Sequence, residues 1–174
     1  MTKNQRIVYI ALLAAQAVII SILERAIPFP FAFAPGAKLG LANMITCMAL
    51  YTLSVKDVTK VVLIRITLSA LLGGNLSSFM YSASGAILSL LGMILVKQLG
   101  PSRISLIGVS VAGAIMHNVG QLLIASTIAK TWTVLLYLPV MSFIGILSGI
   151  AIGIIANYLL THVEKLVYYR YLNE

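Results

Sequence analysis

Apolar runs near twenty residues recur along this chain, separated by short clusters rich in Pro, Gly, Lys and Asn. An α-helix rises 1.5 Å per residue, so a run of that length crosses the ~30 Å hydrocarbon core of a bilayer. The pattern predicts six spans. The first runs from Ile7 to Ile27 and stops at Pro28 and Pro30, where a helix cannot continue. After the loop PFPFAFAPGAK, a short second span covers Leu39 to Ser54. The third covers Val58 to Leu72 and stops at Gly73-Gly74-Asn75; the fourth covers Ser78 to Val96. The fifth, Ile104 to Ala129, is interrupted by small and polar residues. The sixth runs from Trp132 to Leu160, with Pro139 near its start and the polar tail THVEKLVYYRYLNE behind it. The N-terminus has the basic start of a signal peptide. Its Ala-rich part is followed by Ile and Leu and not by a polar cleavage region, so a retained helix is expected. Residues 1–174 are thus expected to form a single all-α integral membrane domain, a six-transmembrane-helix bundle.

Composition agrees with the pattern. Hydrophobic residues make up 60% of the chain and charged residues 9%, against about 25% charged in a soluble domain. With short loops between most helices, a separate soluble catalytic module is excluded. The net charge of +8 does not mark a nucleic-acid surface, because the basic residues sit mainly at helix ends. With six spans, Lys3, Arg6, Lys56, Lys60, Lys97, Arg103, Lys165 and Arg170 share one side, and the opposite connections offer little beyond Lys38 and Lys130. The positive-inside rule then predicts a multi-pass protein of the cell membrane with both termini cytoplasmic and lipid as its surroundings. Ala11 and Ala15 on the first helix, and Gly145, Gly149 and Gly153 on the sixth, leave room for another backbone to approach. Each stripe is open to two readings: packing inside the bundle, or docking of a membrane partner.

The acidic residues limit the chemistry. Glu24, Asp57, Glu164 and Glu174 are the four, none close to another in sequence. A two-metal site that clamps a diphosphate needs clustered carboxylates, so the chain is not expected to be an enzyme by itself. Cys47 is single and His117 has no histidine nearby, so neither a metal site nor a bis-histidine haem is expected. No GxxxxGK[ST] sequence is present, so no cofactor is expected on this chain and any ATP would be used by a partner.

Polar groups inside apolar runs point instead to binding, since a charge in a membrane helix usually faces a cavity or a partner. Arg65 lies deep in VVLIRITLSALL, and Glu24 lies toward the outer end of the first helix, where it is open to contacting a ligand, pairing with Arg65 or Lys38, or capping beside Pro28. In GAIMHNVGQL, Gly113, His117 and Gln121 share one helical face, with Asn118 turned by about 100°. Asn43 lies on the second helix behind KLGLAN. Glu24, Lys38, Asn43, Arg65, His117, Asn118 and Gln121 are therefore the candidate substrate-binding residues. They would form an outward-facing pocket with apolar walls from Phe31, Phe33, Leu39 and Met116. Cationic and amide donors in apolar surroundings suit a small aromatic or amphiphilic anion.

The segments ERAIP, PGAKLGLAN, Arg65, SASGAILS and HNVGQ together resemble the Gx transporter family, long labelled heptaprenyl diphosphate synthase component I. That family is similar to the substrate-binding S components of energy-coupling-factor (ECF) vitamin transporters. The resemblance implies a six-helix S component of an ATP-driven importer, partnered by a coupling transmembrane subunit and two ATPase subunits. Ala11 and Ala15 match the family's docking motif, and the family's link with quinone metabolism implies a quinone precursor or vitamin as solute. The alternative is a non-catalytic membrane partner or scaffold in polyprenyl diphosphate or menaquinone synthesis.

Overall fold

The computed structural model describes residues 2–26, 40–72 and 75–172, with side chains followed as far as His162. Six helices account for nearly all of it. Helix α1, Lys3–Arg25, starts on a capping box: Thr2 Oγ1 accepts from the Gln5 amide, and Gln5 Oε1 accepts from the Thr2 amide. Helix α2, Asn43–Thr52, follows the left-handed Gly40. Helix α3 covers Val55–Leu71. Helix α4, Leu76–Lys97, and helix α5, Leu106–Ala129, are capped by the side chains of Asn75 and Ser105. A short 3-10 helix, Trp132–Tyr137, leads into α6, Leu138–Leu172, with Pro139 in its first turn, where no amide hydrogen is needed.

The expectation of six spans is corrected. Among the described residues, four stretches are long and apolar enough to cross a membrane: Lys3–Arg25, Leu76–Lys97, Leu106–Ala129 and Trp132–His162. The multi-pass membrane character stands; the six-span bundle of an S component does not. The Leu39–Ser54 run misled because hydropathy does not see where a helix begins. The chain is still turning at Gly40–Ala42 and is extended again at Leu53, leaving a helix of ten residues, about 15 Å long. Helix α3 has seventeen residues and carries Lys56, Asp57, Lys60 and Arg65.

Helices α4, α5 and α6 pack most extensively, with α5 in the middle. Gly120 lets α4 approach, because a Cβ there would lie 2.6 Å from the Ser84 carbonyl oxygen. The glycine stripe of α6 closes the other side: Cβ atoms at Gly149 and Gly153 would each lie 2.7 Å from a backbone Cα of α5. That stripe therefore packs inside the bundle. Helix α1 lies on α3, and α2 is enclosed by the other five helices, with seven of its ten residues buried. Ala11 and Ala15 are exposed, so the internal-packing reading fails for them.

One end of the bundle collects basic groups. Arg6 Nε donates to Asp57 Oδ2 at 2.5 Å, Lys60 Nζ donates to Asp57 Oδ1 at 3.1 Å, and the Ser54 hydroxyl donates to Asp57 Oδ2. Burial alone would raise the Asp57 carboxyl, but these donors and the Arg6 charge outweigh it and lower its pKa to about 2. Nearby, Lys97 Nζ donates to the Leu50 carbonyl at 2.5 Å and lies 4.4 Å from the centre of the Tyr51 ring.

Candidate functional site

The other half of the bundle holds a cluster of buried polar groups that includes Glu24, Asn43, Arg65, His117 and Gln121. Gly40 has φ of +82°, a backbone that L side chains rarely adopt, and a Cβ there would press on Asn43 Nδ2 at 2.9 Å. The turn aims two amides at α1: Gly40 and Leu41 both donate to Glu24 Oε1, at 2.5 and 3.1 Å. Glu24 thus holds the turn that enters α2, placing a carboxylate at the positive end of that helix. This is a capping role toward α2; Pro28 lies outside the described residues.

Asn43, the first residue of α2, accepts from Arg65 Nη1 through Oδ1 at 3.3 Å, while its Nδ2 has no hydrogen-bond partner among the described residues. Both side chains are buried, at 2% and 5% exposure. From α5, His117 Nε2 lies 2.8 Å from Gln121 Nε2, one turn along the helix. Gly85 of α4 makes room for the imidazole, since a Cβ there would lie 2.7 Å from its Cε1. Glu24, Arg65 and His117 line one cavity together with Gly40, Ser21 and Ser69.

Asn118 is not brought to that cavity. Its Nδ2 donates to the Met141 carbonyl at 2.6 Å, and Gly145 leaves the space it occupies, so it joins α5 to α6. Met116 packs over Gly92 of α4 and does not line the cavity. Lys38, Phe31, Phe33 and Leu39 lie outside the described residues. The sequence reading missed Ser21 and Ser69 and gave Arg25, at the outer end of the first helix, no part in the site. Arg25 donates to the Ser69 carbonyl, and the Ser69 hydroxyl is buried without a partner among the described residues. Their spacing was a usable signal: Ser21 stands three residues before Glu24, and Ser69 four residues after Arg65, on the same helical faces.

The cavity measures about 20 Å³. A water needs roughly 10–15 Å³ by that measure, so the space suits about one water and not an aromatic anion. The cluster ties α1 to the turn before α2 and α2 to α3, with His117 of α5 on the same cavity. Among the described residues no group of three or more His, Cys, Asp or Glu is placed to hold a metal ion.

A family model described as heptaprenyl diphosphate synthase component I matches residues 13–159. No curated protein and no solved structure matches the chain. The match names the synthase component and not a transporter S component. It overturns the reading as an ECF importer subunit, and the coupling subunit, ATPases and imported solute inferred from that reading are not carried forward.

Proposed function

This chain belongs to the heptaprenyl diphosphate synthase component I family, and on that premise we propose that it is the membrane-embedded, non-catalytic component of a heptaprenyl diphosphate synthase. A soluble, aspartate-rich subunit would supply the prenyl transfer. The observation that carries this reading is a family match over most of a chain that has several membrane-spanning helices.

The distribution of carboxylates supports the division of labour. Glu24 and Asp57 stand at opposite ends of the bundle, the first engaged by the Gly40 and Leu41 amides and the second by Arg6 and Lys60. Magnesium-assisted ionisation of a diphosphate requires carboxylates that converge on the metals, which a partner chain would provide. The product supplies a reason for a membrane component. Each buried CH₂ of a prenyl chain favours the bilayer by ~0.8 kcal/mol, so a long product leaves a soluble enzyme best at a membrane surface. The basic end would face the cytoplasm, where the soluble subunit is made. Arg65 and its neighbours, in the opposite half, act in this reading as the polar core that positions α2.

Coexpression of a tagged form with the aspartate-rich prenyl synthase of the same genome tests the proposal. The soluble subunit should enter the membrane fraction only when this chain is present, copurify with it, and then extend its product to heptaprenyl length. The purified chain alone should transfer no prenyl group. No copurification, with the same product lengths in both cases, would overturn the partnership; prenyl transfer by the chain alone would overturn the non-catalytic role.

A further inference from the structure

Between α1 and α3, at the basic end, runs a groove of about 350 Å³ lined by Ile7, Ile10, Leu63 and Ile64, with Lys60 as its polar member. Ile7 and Leu63 are each more than half exposed, so the groove opens outward along the seam of the two helices. Its chemistry is asymmetric: four aliphatic side chains lead away from one ammonium group.

The charge around that ammonium is strongly one-sided. Lys60 shares Asp57 with Arg6, and these are the two ion pairs among the described residues. Lys56 precedes Lys60 by one turn on the same face of α3, and Lys3 precedes Ile7 by one turn on α1. The groove therefore begins among cations that Asp57 only partly offsets and runs from there into apolar surface. The Lys60 side chain is 62% exposed, so its ammonium, with one hydrogen bond given to Asp57, is accessible to an incoming anion.

We propose that this groove is a binding site for the polyprenyl diphosphate itself. The isoprenoid chain lies along Ile7, Ile10, Leu63 and Ile64, and the diphosphate is held by Lys60 with Lys56 and Lys3. The proposal rests on the reading of the chain as the membrane component of a prenyl diphosphate synthase and deepens it by naming where the product sits. Charge complementarity selects this occupant. A diphosphate carries more negative charge than the single phosphodiester of an ordinary anionic phospholipid, and several ammonium groups stand at the groove's entrance. The location agrees, because the groove lies at the end of the bundle where a product handed over from a soluble subunit would arrive. The polar cavity around Arg65 lies in the other half and is far smaller.

The test uses the purified full chain in neutral detergent with radiolabelled farnesyl diphosphate as the probe. Saturable binding is expected, with farnesol and inorganic pyrophosphate each competing at least about tenfold more weakly, since each supplies half of the recognition. Lys60→Gln should weaken binding about tenfold and Lys60→Arg should largely restore it. Leu63→Trp, at an exposed position, should block the groove and abolish binding while thermal unfolding is unchanged. If farnesol competes as well as the diphosphate, or if a folded Leu63→Trp protein binds normally, the site is not this groove. Displacement by phosphatidylglycerol at concentrations matching the probe would make it a general lipid groove and equally overturn the proposal. Because the measurement needs no second protein, its failure removes the groove and leaves the partnership to its own copurification test.

Discussion

Arg65 is a guanidinium buried among helices, with Asn43 Oδ1 as a hydrogen-bond acceptor and the Glu24 carboxylate on the same cavity. Burying such a group costs several kcal/mol, and removing one member of a compensated set leaves the others exposed to that cost. Arg65→Gln should therefore destabilise the protein by roughly 3 kcal/mol, and Arg65→Lys by less, read as a fall in Tm in detergent. An unchanged Tm for Arg65→Gln would show that its charge contributes nothing to the fold. Asp57 gives a second test at this scale. Its folded pKa, about 2, lies below the ordinary 3.8, so its stabilisation is complete above pH ~4 and is lost as pH falls toward 2. Asp57→Asn should flatten that acid limb of the Tm–pH curve; an identical limb in the variant would assign the acid sensitivity elsewhere. Glu24 and Arg65 were legible in the sequence because a charge in an apolar run is conspicuous. Ser21 and Ser69 were not, because a serine costs little in a membrane helix and only its register beside a charge marks it.

Helix α2 shows what a hydropathy pattern can and cannot give. The apolar runs located all six helices, but a run records burial and not helix length. Here burial comes from five neighbouring helices and not from lipid on every side. The small-residue stripes were equally legible as positions and equally undecided in role. The α6 glycines meet the α5 backbone, whereas Ala11 and Ala15 meet nothing in the bundle closely enough to be covered. Replacing both alanines with Leu should accordingly leave Tm within about the ±0.5 kcal/mol typical of surface changes. A large loss of stability would mean that α1 packs more closely than its exposure indicates. The same variant should lose copurification of any membrane partner that docks on this face, since bulk there separates backbones.

At the scale of the molecule, charge is distributed by end. Arg6, Lys56, Lys60, Lys97 and Arg103 gather at one end with Asp57, while Arg25, at the end of α1, and Lys130, on the left-handed residue that closes α5, stand at the other. The positive-inside rule then gives a direct expectation. In intact cells carrying Cys47→Ser, an impermeant maleimide should label Thr131→Cys and spare Thr2→Cys. The reverse labelling would place the basic end outside and remove the argument that the α1–α3 groove receives a product made in the cytoplasm.

The bond from Lys97 to the Leu50 carbonyl also has a consequence in time. The two residues are 47 positions apart, so at roughly 5–20 residues per second the ribosome takes about 2–9 s after making the end of α2 to supply its ammonium partner. Two of the helices that enclose α2, α5 and α6, are made later still, and ten residues cannot reach across a bilayer alone. During synthesis α2 must therefore wait near the membrane surface as an incompletely covered segment and enter the protein only when its walls exist. Cys47, fully buried in the finished fold, reports the event. Nascent chains stalled after α3 should react with a membrane-permeant maleimide, and released full-length chains should not. Protection already present in the stalled chains would mean that α1 and α3 suffice to shelter α2.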